Sequence, residues 1–305
     1  MNIVFMGTPD FAAVSLQALI DAGHSVTHVL TKPDRPRGRG MRLTPSPVKE
    51  IAIAYGIPCR QPETLKDDLC YNEVAELTPD MIAVVAYGLF LPERWLKLPK
   101  LACVNVHGSL LPKYRGAAPI QWAVINGETE TGVCTQHMAA AMDRGDVILS
   151  QSIEICDNDT YGMIYDKMKL RGAALLVNTA ALIEAGKAPR TPQDDDKATY
   201  APPIKKEDAR IDWTRPAKSV HDLIRGTQPA PCAHSGSLRV HGSLTTEQTS
   251  DIPPGGVAGA DKSGVFVSCG DGRVLCLTVL QAPGGPRVDA AAYVNGHGIP
   301  DFRGH

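Results

Sequence analysis

Over roughly the first two thirds of the chain, short apolar runs alternate with longer stretches of helical period, and this alternation constrains the fold more than any other feature. Asn2 to Met6 is a buried first strand. The turn Gly7-Thr-Pro-Asp10 ends it and caps a helix whose apolar positions are Phe11, Val14, Leu16, Leu19 and Ile20, stopping at Gly23. Ser25 to Leu30, Asp80 to Ala86, Ala102 to His107, Gly132 to Met138 and Val147 to Ile155 read as further strands, and Thr160 to Ala185 as one long helix. Strands joined by crossover helices lie parallel, so the expected architecture is α/β, with a doubly wound, mostly parallel, Rossmann-like sheet.

The chain of 305 residues, 43% hydrophobic, is long enough for a second core. Gly186 to Lys206 is rich in Pro, Asp and Lys and has no apolar period, which marks a linker. The expected division is a first domain over 1–186, a linker over 187–206 and a second domain over 207–305. That second domain opens with a helix over Pro216 to Arg225, and its later short strands, punctuated by Gly and Pro, suit a small OB-like β-barrel.

Eight scattered cysteines without a C-x-x-C spacing read as reduced, mostly buried small hydrophobes, and no spacing implies a metal. The N-terminus has no basic leader and the longest apolar run, Met81 to Leu91, is too short to cross a bilayer, so a cytoplasmic protein without membrane contact is expected. A formal net charge of -2 argues against holding nucleic acid by bulk charge. Between Thr31 and Glu50, however, six Lys or Arg stand against two Asp or Glu, a local basic segment.

The chemically informative stretch is Cys103-Val-Asn-Val-His-Gly-Ser-Leu-Leu-Pro-Lys-Tyr-Arg-Gly116. Alternation on a strand puts Asn105 and His107 on one face, and Gly108 ends the strand where α/β sheets place their ligand crevices. Acyl transfer to an amine needs donors for a tetrahedral oxyanion and a group that handles the amine proton. An amide and an imidazole can supply both, and Asp143, just before the apolar run Val147-Ile-Leu149, is the candidate partner that sets the charge of His107. Taken alone, an Asn-x-His pair on a strand is more often structural than catalytic. The first loop, Gly7-Thr-Pro-Asp-Phe-Ala12, lacks G-x-G-x-x-G, which excludes a dinucleotide bound in that way.

The run Asn105-Val-His-Gly-Ser-Leu-Leu-Pro-x-x-Arg-Gly-Ala-Ala-Pro-Ile-Gln121 closely resembles the signature of the 10-formyltetrahydrofolate-dependent formyltransferases. Further matches follow in order: Gly7-Thr-Pro-Asp-Phe-Ala12, Lys32-Pro-Asp-Arg-Pro-x-Gly-Arg-Gly40, Pro45-Ser-Pro-Val-Lys49, Gln61-Pro-Glu-Thr-Leu65, Val85-Ala-Tyr-Gly-Leu89 and Ala209-Arg-Ile-Asp-Trp213. The resemblance implies that Asn105, His107 and Asp143 form the catalytic set. It also implies that Ser109, Leu110, Leu111 and Pro112, with Ala86, Tyr87, Gly88 and Leu89, line a folate pocket that holds the pterin through backbone groups.

By the same resemblance the basic segment, with Arg35, Arg37, Arg39 and Arg42, meets the acceptor stem of a tRNA, mobile alone and ordered on RNA. The implied reaction is transfer of the formyl group of 10-formyltetrahydrofolate to the α-amine of methionyl initiator tRNA, for translation initiation, by a monomer. The alternative acceptor is a nucleotide-linked amino sugar, whose enzymes resemble the catalytic run but lack the Lys-Pro-Asp-Arg-Pro loop. Two departures from the family pattern are Ala139-Ala-Ala141 in place of an acid and a glycine, and Pro231-Cys-Ala-His234 in place of Pro-Gly-Ala. Residues 206–305 hold ten basic and ten acidic residues, so a tRNA-binding face is not visible there in bulk charge.

Overall fold

The computed structural model describes residues 1–37 and 42–303, and the chain divides into two compact units. One takes Met1–Gly116, Gly132–Ile153 and Tyr165–Tyr200, the other Ala117–Thr131, Glu154–Ile164 and Ala201–His305. The elements run β1 (Asn2–Gly7), α1 (Asp10–Asp21), β2 (Ser25–Leu30), β3 (Arg35–Arg37), β4 (Arg42–Thr44), α2 (Pro47–Ala54), β5 (Cys59–Arg60), α3 (Asp68–Glu76), β6 (Met81–Val85), α4 (Glu93–Leu96) and β7 (Ala102–His107). After these come β8 (Arg115–Gly116), α5 (Pro119–Ile125), β9 (Glu130–His137), β10 (Val147–Glu154) and α6 (Tyr161–Glu184).

Seven strands form one sheet in the order β10-β9-β7-β6-β1-β2-β5. β1 pairs in parallel with β2 on one side and β6 on the other, β7 continues in parallel from β6, and β9 turns antiparallel to β7. The sheet is therefore doubly wound and mostly parallel. Ile3 to Gly7 and Met81 to Val85 are buried without interruption, because helices cover both faces and such strands carry no polar side. The chain winds outward from β1 through β2 to β5 and then returns to the other side at β6. A crevice opens at such a reversal, outside the carboxyl ends of β1 and β6. Gly7 sits at that edge, and a Cβ there would lie 2.6 Å from the Ala12 Cβ and 2.9 Å from the Val85 carbonyl oxygen, so only glycine allows the two strands to end so close together.

The segment read as a mobile basic loop contains an antiparallel ribbon, β3 with β4, which pairs Arg35 with Thr44 and Pro36 with Leu43. Its ladder bonds are made by backbone and need no apolar alternation, which is why the residues gave no strand signal. Arg39 lies outside the described residues, and only the backbone of Arg37 and Arg42 is described. Behind the ribbon, Ser46 caps α2 by accepting from the Lys49 N–H at 3.1 Å, with Pro47 in the first helical turn.

Three of the motif segments converge at the base of this ribbon. Lys49 Nζ donates to Asp34 Oδ2 at 2.6 Å and to Gln61 Oε1 at 2.7 Å, and Gln61 Nε2 donates to Asp34 Oδ1 at 2.7 Å and to the Lys32 carbonyl at 2.9 Å. The Lys49 ammonium, followed by the Gln61 amide, holds the Asp34 carboxyl below the usual carboxylate range.

After β11 (Tyr200–Ala201), whose Tyr200 is the last residue of the first unit, the second unit continues through α7 (Ala217–Gly226), β12 (Ala233–Ser235), β13 (Leu238–Thr249), β14 (Val257–Asp261), β15 (Gly264–Ser268), β16 (Arg273–Gln281), β17 (Arg287–Asp289) and α8 (Ala290–His297). Its sheet has the order β12-β13-β16-β15-β14 with β17 added on β16, and every described pairing in it is antiparallel. Register shifts between Val240 and Gly242, Gly242 and Ser243, and Thr245 and Thr249 bend β13, the device by which a small sheet curls towards a barrel. Ile211, Trp213, Val220 and Ile224 pack with Val240, Val265, Leu275 and Leu277 in its core. Within α7 the buried Asp222 carboxylate accepts from Arg225 Nε at 2.7 Å, and the same guanidinium donates to the Asp159 carbonyl at 3.0 Å, so the buried charge is paired and satisfied.

Cys232, which stands where the family pattern has glycine, has φ 74°, a left-handed backbone that glycine adopts without strain. Here the thiol compensates by burial, with Sγ 3.3 Å from His241 Nδ1 and 3.4 Å from the Val240 carbonyl. All eight cysteines are free, and six are buried.

Candidate active site

β7 carries the centre of the site. Its last residues, Asn105 and His107, lie on one face by strand alternation, and their antiparallel partners on β9 are Gln136 and Cys134. Asn105 is half-buried, and no hydrogen bond engages its side-chain amide among the described residues. His107 is 5% exposed and both ring nitrogens face oxygens: Nε2 stands 2.9 Å from the Tyr114 carbonyl and Nδ1 stands 3.5 Å from Asp143 Oδ1. A carbonyl oxygen only accepts, so Nε2 carries a hydrogen.

Asp143 is brought to His107 by a tight loop after β9. Its backbone is left-handed, φ 54°, which is uncommon outside glycine and is a conformation Asp tolerates better than most residues. The carboxylate accepts from the Gly116 N–H at 2.8 Å and from Gln136 Nε2 at 3.1 Å, which leaves Oδ1 directed between Gln136 and His107. Two residues on, a Cβ at Gly145 would lie 1.6 Å from the His137 carbonyl oxygen, so the loop can double back only with glycine at that position. Burial pushes the Cys134 thiol, across the ladder from His107, up to about 12, which removes it as a competing nucleophile.

The site therefore offers one open amide, Asn105, beside an imidazole that is buried and fixed at both ends. Sequence reasoning named Asn105, His107 and Asp143, and the structure brings these three together. It did not name Gln136 or Gly116. Gln136 had a signal, a polar amide in the otherwise buried strand Val133-Cys-Thr-Gln-His137. The three alanines that depart from the family pattern, Ala139 to Ala141, are exposed on the approach to Asp143.

The residues assigned to a folate pocket separate by role. Ala86 and Gly88 are exposed and left-handed, with φ 44° and 76°, at the carboxyl end of β6 beside the crevice. No hydrogen bond engages the backbone N–H of Gly88 or Leu89 among the described residues, so a donor edge is available to a flat heterocycle. The Tyr87 side chain instead points into the core with Leu30, Leu65 and Cys70, and only its backbone stays at the loop, where its carbonyl accepts from Thr8 Oγ1 at 3.3 Å. Ser109 is buried and donates to the Lys113 carbonyl at 2.6 Å, closing the turn through Leu110, Leu111 and Pro112, while Leu110 packs against Gly132. Of the basic residues, Arg35 is exposed on β3. Among the described residues, no three His, Cys, Asp or Glu gather as a metal-binding group, and no helix is long and apolar enough to cross a membrane.

Residues 1–180 match the family model described as formyl transferase, and residues 203–298 match the formyl transferase C-terminal domain. The chain is 48% identical over 301 residues to a methionyl-tRNA formyltransferase of Moorella thermoacetica, covering 97% of this chain and 96% of that one. A protein of the same name from Stutzerimonas stutzeri is 47% identical, with 93% and 91% covered. Among solved structures, an N-formyltransferase from Helicobacter canadensis in complex with folinic acid and dTDP-3-aminofucose superposes with a TM-score of 0.69 at 18% identity, covering 90% of this chain and 98% of that one. HypX from Aquifex aeolicus in complex with tetrahydrofolic acid superposes with a TM-score of 0.62 at 17% identity, covering 96% of this chain and 46% of that one. At such identities the likeness is one of fold.

Proposed function

The chain belongs to the formyl transferase family, and from that membership we propose that it transfers the formyl group of 10-formyltetrahydrofolate to the α-amine of methionyl initiator tRNA. In this reaction a bond forms between the amine nitrogen and the formyl carbon, and the bond from that carbon to the folate N10 breaks. One proton leaves the amine and one reaches N10, so the site must stabilise an oxyanion and carry a proton.

Asn105 is the oxyanion donor, because its amide is unengaged and sits at the mouth of the site. His107 assists it by exchanging the Tyr114 carbonyl for the substrate oxygen through Nε2. Asp143 orients His107 through Nδ1 and stabilises the imidazolium that forms as a proton is taken up. The observation that supports this reading is the open Asn105 amide beside the His107–Asp143 pair, at the carboxyl end of the strand next to the sheet's reversal.

The left-handed Ala86 to Leu89 loop fits the donor substrate, since its free N–H groups match the acceptor edge of a pterin. Ser109, Leu110, Leu111 and Pro112 form the facing turn. Arg35, Arg37, Arg39 and Arg42 meet the phosphates of the acceptor stem, and the Asp34–Lys49–Gln61 cluster anchors the chain immediately before Arg35. Asn105, His107 and Asp143 all come from one chain, so a monomer suffices, acting in the cytoplasm where initiator tRNA is used.

The test is incubation of the purified protein with 10-formyltetrahydrofolate and methionyl initiator tRNA, followed on an acid gel, with methionyl elongator tRNA and a nucleotide-linked amino sugar as parallel acceptors. Formylation of the initiator alone is expected. Formylation of the sugar and of neither tRNA would overturn the choice of acceptor.

A further inference from the structure

We propose that Gln193 is a positioning residue that sets the geometry of Asp143, so that a stretch with no secondary-structure signal completes the active site. The proposal rests on the formyl-transfer reading above. Gln193 lies in the Pro- and Asp-rich segment after α6, and its side-chain amide is engaged at both ends. Nε2 donates to the Asp143 carbonyl at 2.8 Å and to the Gly145 carbonyl at 2.7 Å, and Oε1 accepts from Arg115 Nε at 3.0 Å and from Arg115 Nη2 at 2.8 Å. The two short bonds of Nε2 thus go to the loop whose left-handed turn aims the carboxylate, with a longer contact of 3.5 Å to Gln136 Oε1, and both acceptor positions go to a single guanidinium.

Arg115 makes this more than a loop staple. It is 1% exposed, its Nη1 has no hydrogen-bond partner among the described residues, and its Nη2 also pairs with Asp195 at 2.7 Å. The next residue, Gly116, supplies the N–H that binds Asp143 Oδ2. Gln193 therefore ties the backbone of Asp143 to Arg115, while the adjacent peptide holds the carboxylate of the same aspartate. The ring of bonds closes from Asp143 through Gln193, Arg115 and Gly116 back to Asp143.

The role needs a donor of two hydrogens and an acceptor in one side chain. A carboxylate has no hydrogen for the two loop carbonyls, and lysine or arginine has no acceptor for Arg115. Gln193→Glu separates the two functions, because it keeps an oxygen for Arg115 but places another against the Asp143 and Gly145 carbonyls. We expect kcat to fall about 10- to 50-fold, with the KM for each substrate within about threefold, because the weakened hold matters where charge moves in the transition state. Gln193→Asn, shorter by one methylene but with the same groups, should give an intermediate kcat.

A purely structural residue would also lower activity, so the deciding measurement is the pair of Gln193→Glu with Asp143→Asn. If Gln193 acts through Asp143, the double variant is no slower than Asp143→Asn alone. A further loss of the same size in the double variant, or a KM rise with unchanged kcat in Gln193→Glu, would overturn the proposal. The wild-type protein separates the two levels: no formylation of initiator tRNA by it sinks the parent reading, whereas normal wild-type turnover with additive losses sinks this one alone.

Discussion

Asp143→Asn is the sharpest perturbation of the proposed chemistry, because it changes the charge of the side chain and almost nothing else. Asparagine tolerates the left-handed backbone that Asp143 adopts at φ 54°, so the loop has no reason to move. The native carboxylate accepts from the Gly116 N–H at 2.8 Å and from Gln136 Nε2 at 3.1 Å, and it stands 3.5 Å from His107 Nδ1, where it meets the charge of the imidazolium formed in the reaction. In the variant one oxygen becomes an NH2. If the remaining oxygen keeps Gly116, the NH2 faces Gln136 Nε2, donor against donor, and if the amide flips, the NH2 faces the Gly116 N–H.

Either way at least one charge-assisted bond disappears at a side chain only 12% exposed. A loss of about 1.5–3 kcal/mol follows, and with tenfold in rate for about each 1.4 kcal/mol, kcat should fall about 10- to 150-fold. The KM for either substrate should stay within about threefold, since the carboxylate faces His107 rather than a binding surface. Initial-rate formylation with each substrate varied in turn at saturating levels of the other gives both constants. A variant that melts like the wild type and keeps its kcat within about twofold would refute the role of Asp143.

Asp34→Ala removes the acceptor shared by Lys49 and Gln61, and the KM for tRNA should rise about three- to tenfold with the folate KM unchanged; an equal rise in both would place the cluster elsewhere in function. Replacing Arg35, Arg37, Arg39 or Arg42 by Ala should lower the slope of log KM for tRNA against log salt by about one for each phosphate no longer neutralised, and an unaltered slope would exclude that residue. Gly145→Ala drives a Cβ to 1.6 Å from the His137 carbonyl oxygen, so we expect the thermal midpoint to fall by several degrees, which differential scanning fluorimetry would show or refute.

Burial holds the pKa of His28, His137, His221 and His241 below their ordinary value near 6.5. The unfolded chain then binds more protons than the folded one below about pH 6.5, so the stability these residues contribute is complete above that pH and is lost as pH falls towards the folded values. The thermal midpoint should drop between pH 7 and pH 5.5, less so in His221→Gln, which keeps a partner for Ser243; a flat profile would contradict the assignment.

β1 and β6 were legible because each is buried on both faces and so reads as an unbroken apolar run, whereas the two-residue parallel strand β5 is too short to show one. The ribbon of β3 and β4 was not, since Arg35-Pro-Arg37 and Arg42-Leu-Thr44 are held by backbone bonds that leave no mark on composition. α8 was missed for a related reason: Ala290 to His297 is short, has one buried residue, and lies among glycines and prolines. At the site, strand alternation was enough to place Asn105 beside His107. Gln193 had no period to betray it, and its significance comes wholly from hydrogen bonds to residues about fifty and eighty positions away.

The cluster of Asp34, Lys49 and Gln61 has a consequence for how this chain can change. Each of the three side chains bonds both others, so no single substitution can be absorbed by a neighbour taking over its partner. Across descendants of a common ancestor these positions should be inherited as a block, kept together or exchanged together. The three short motifs that contain them would then be one motif, scattered along the sequence and assembled only when the chain folds.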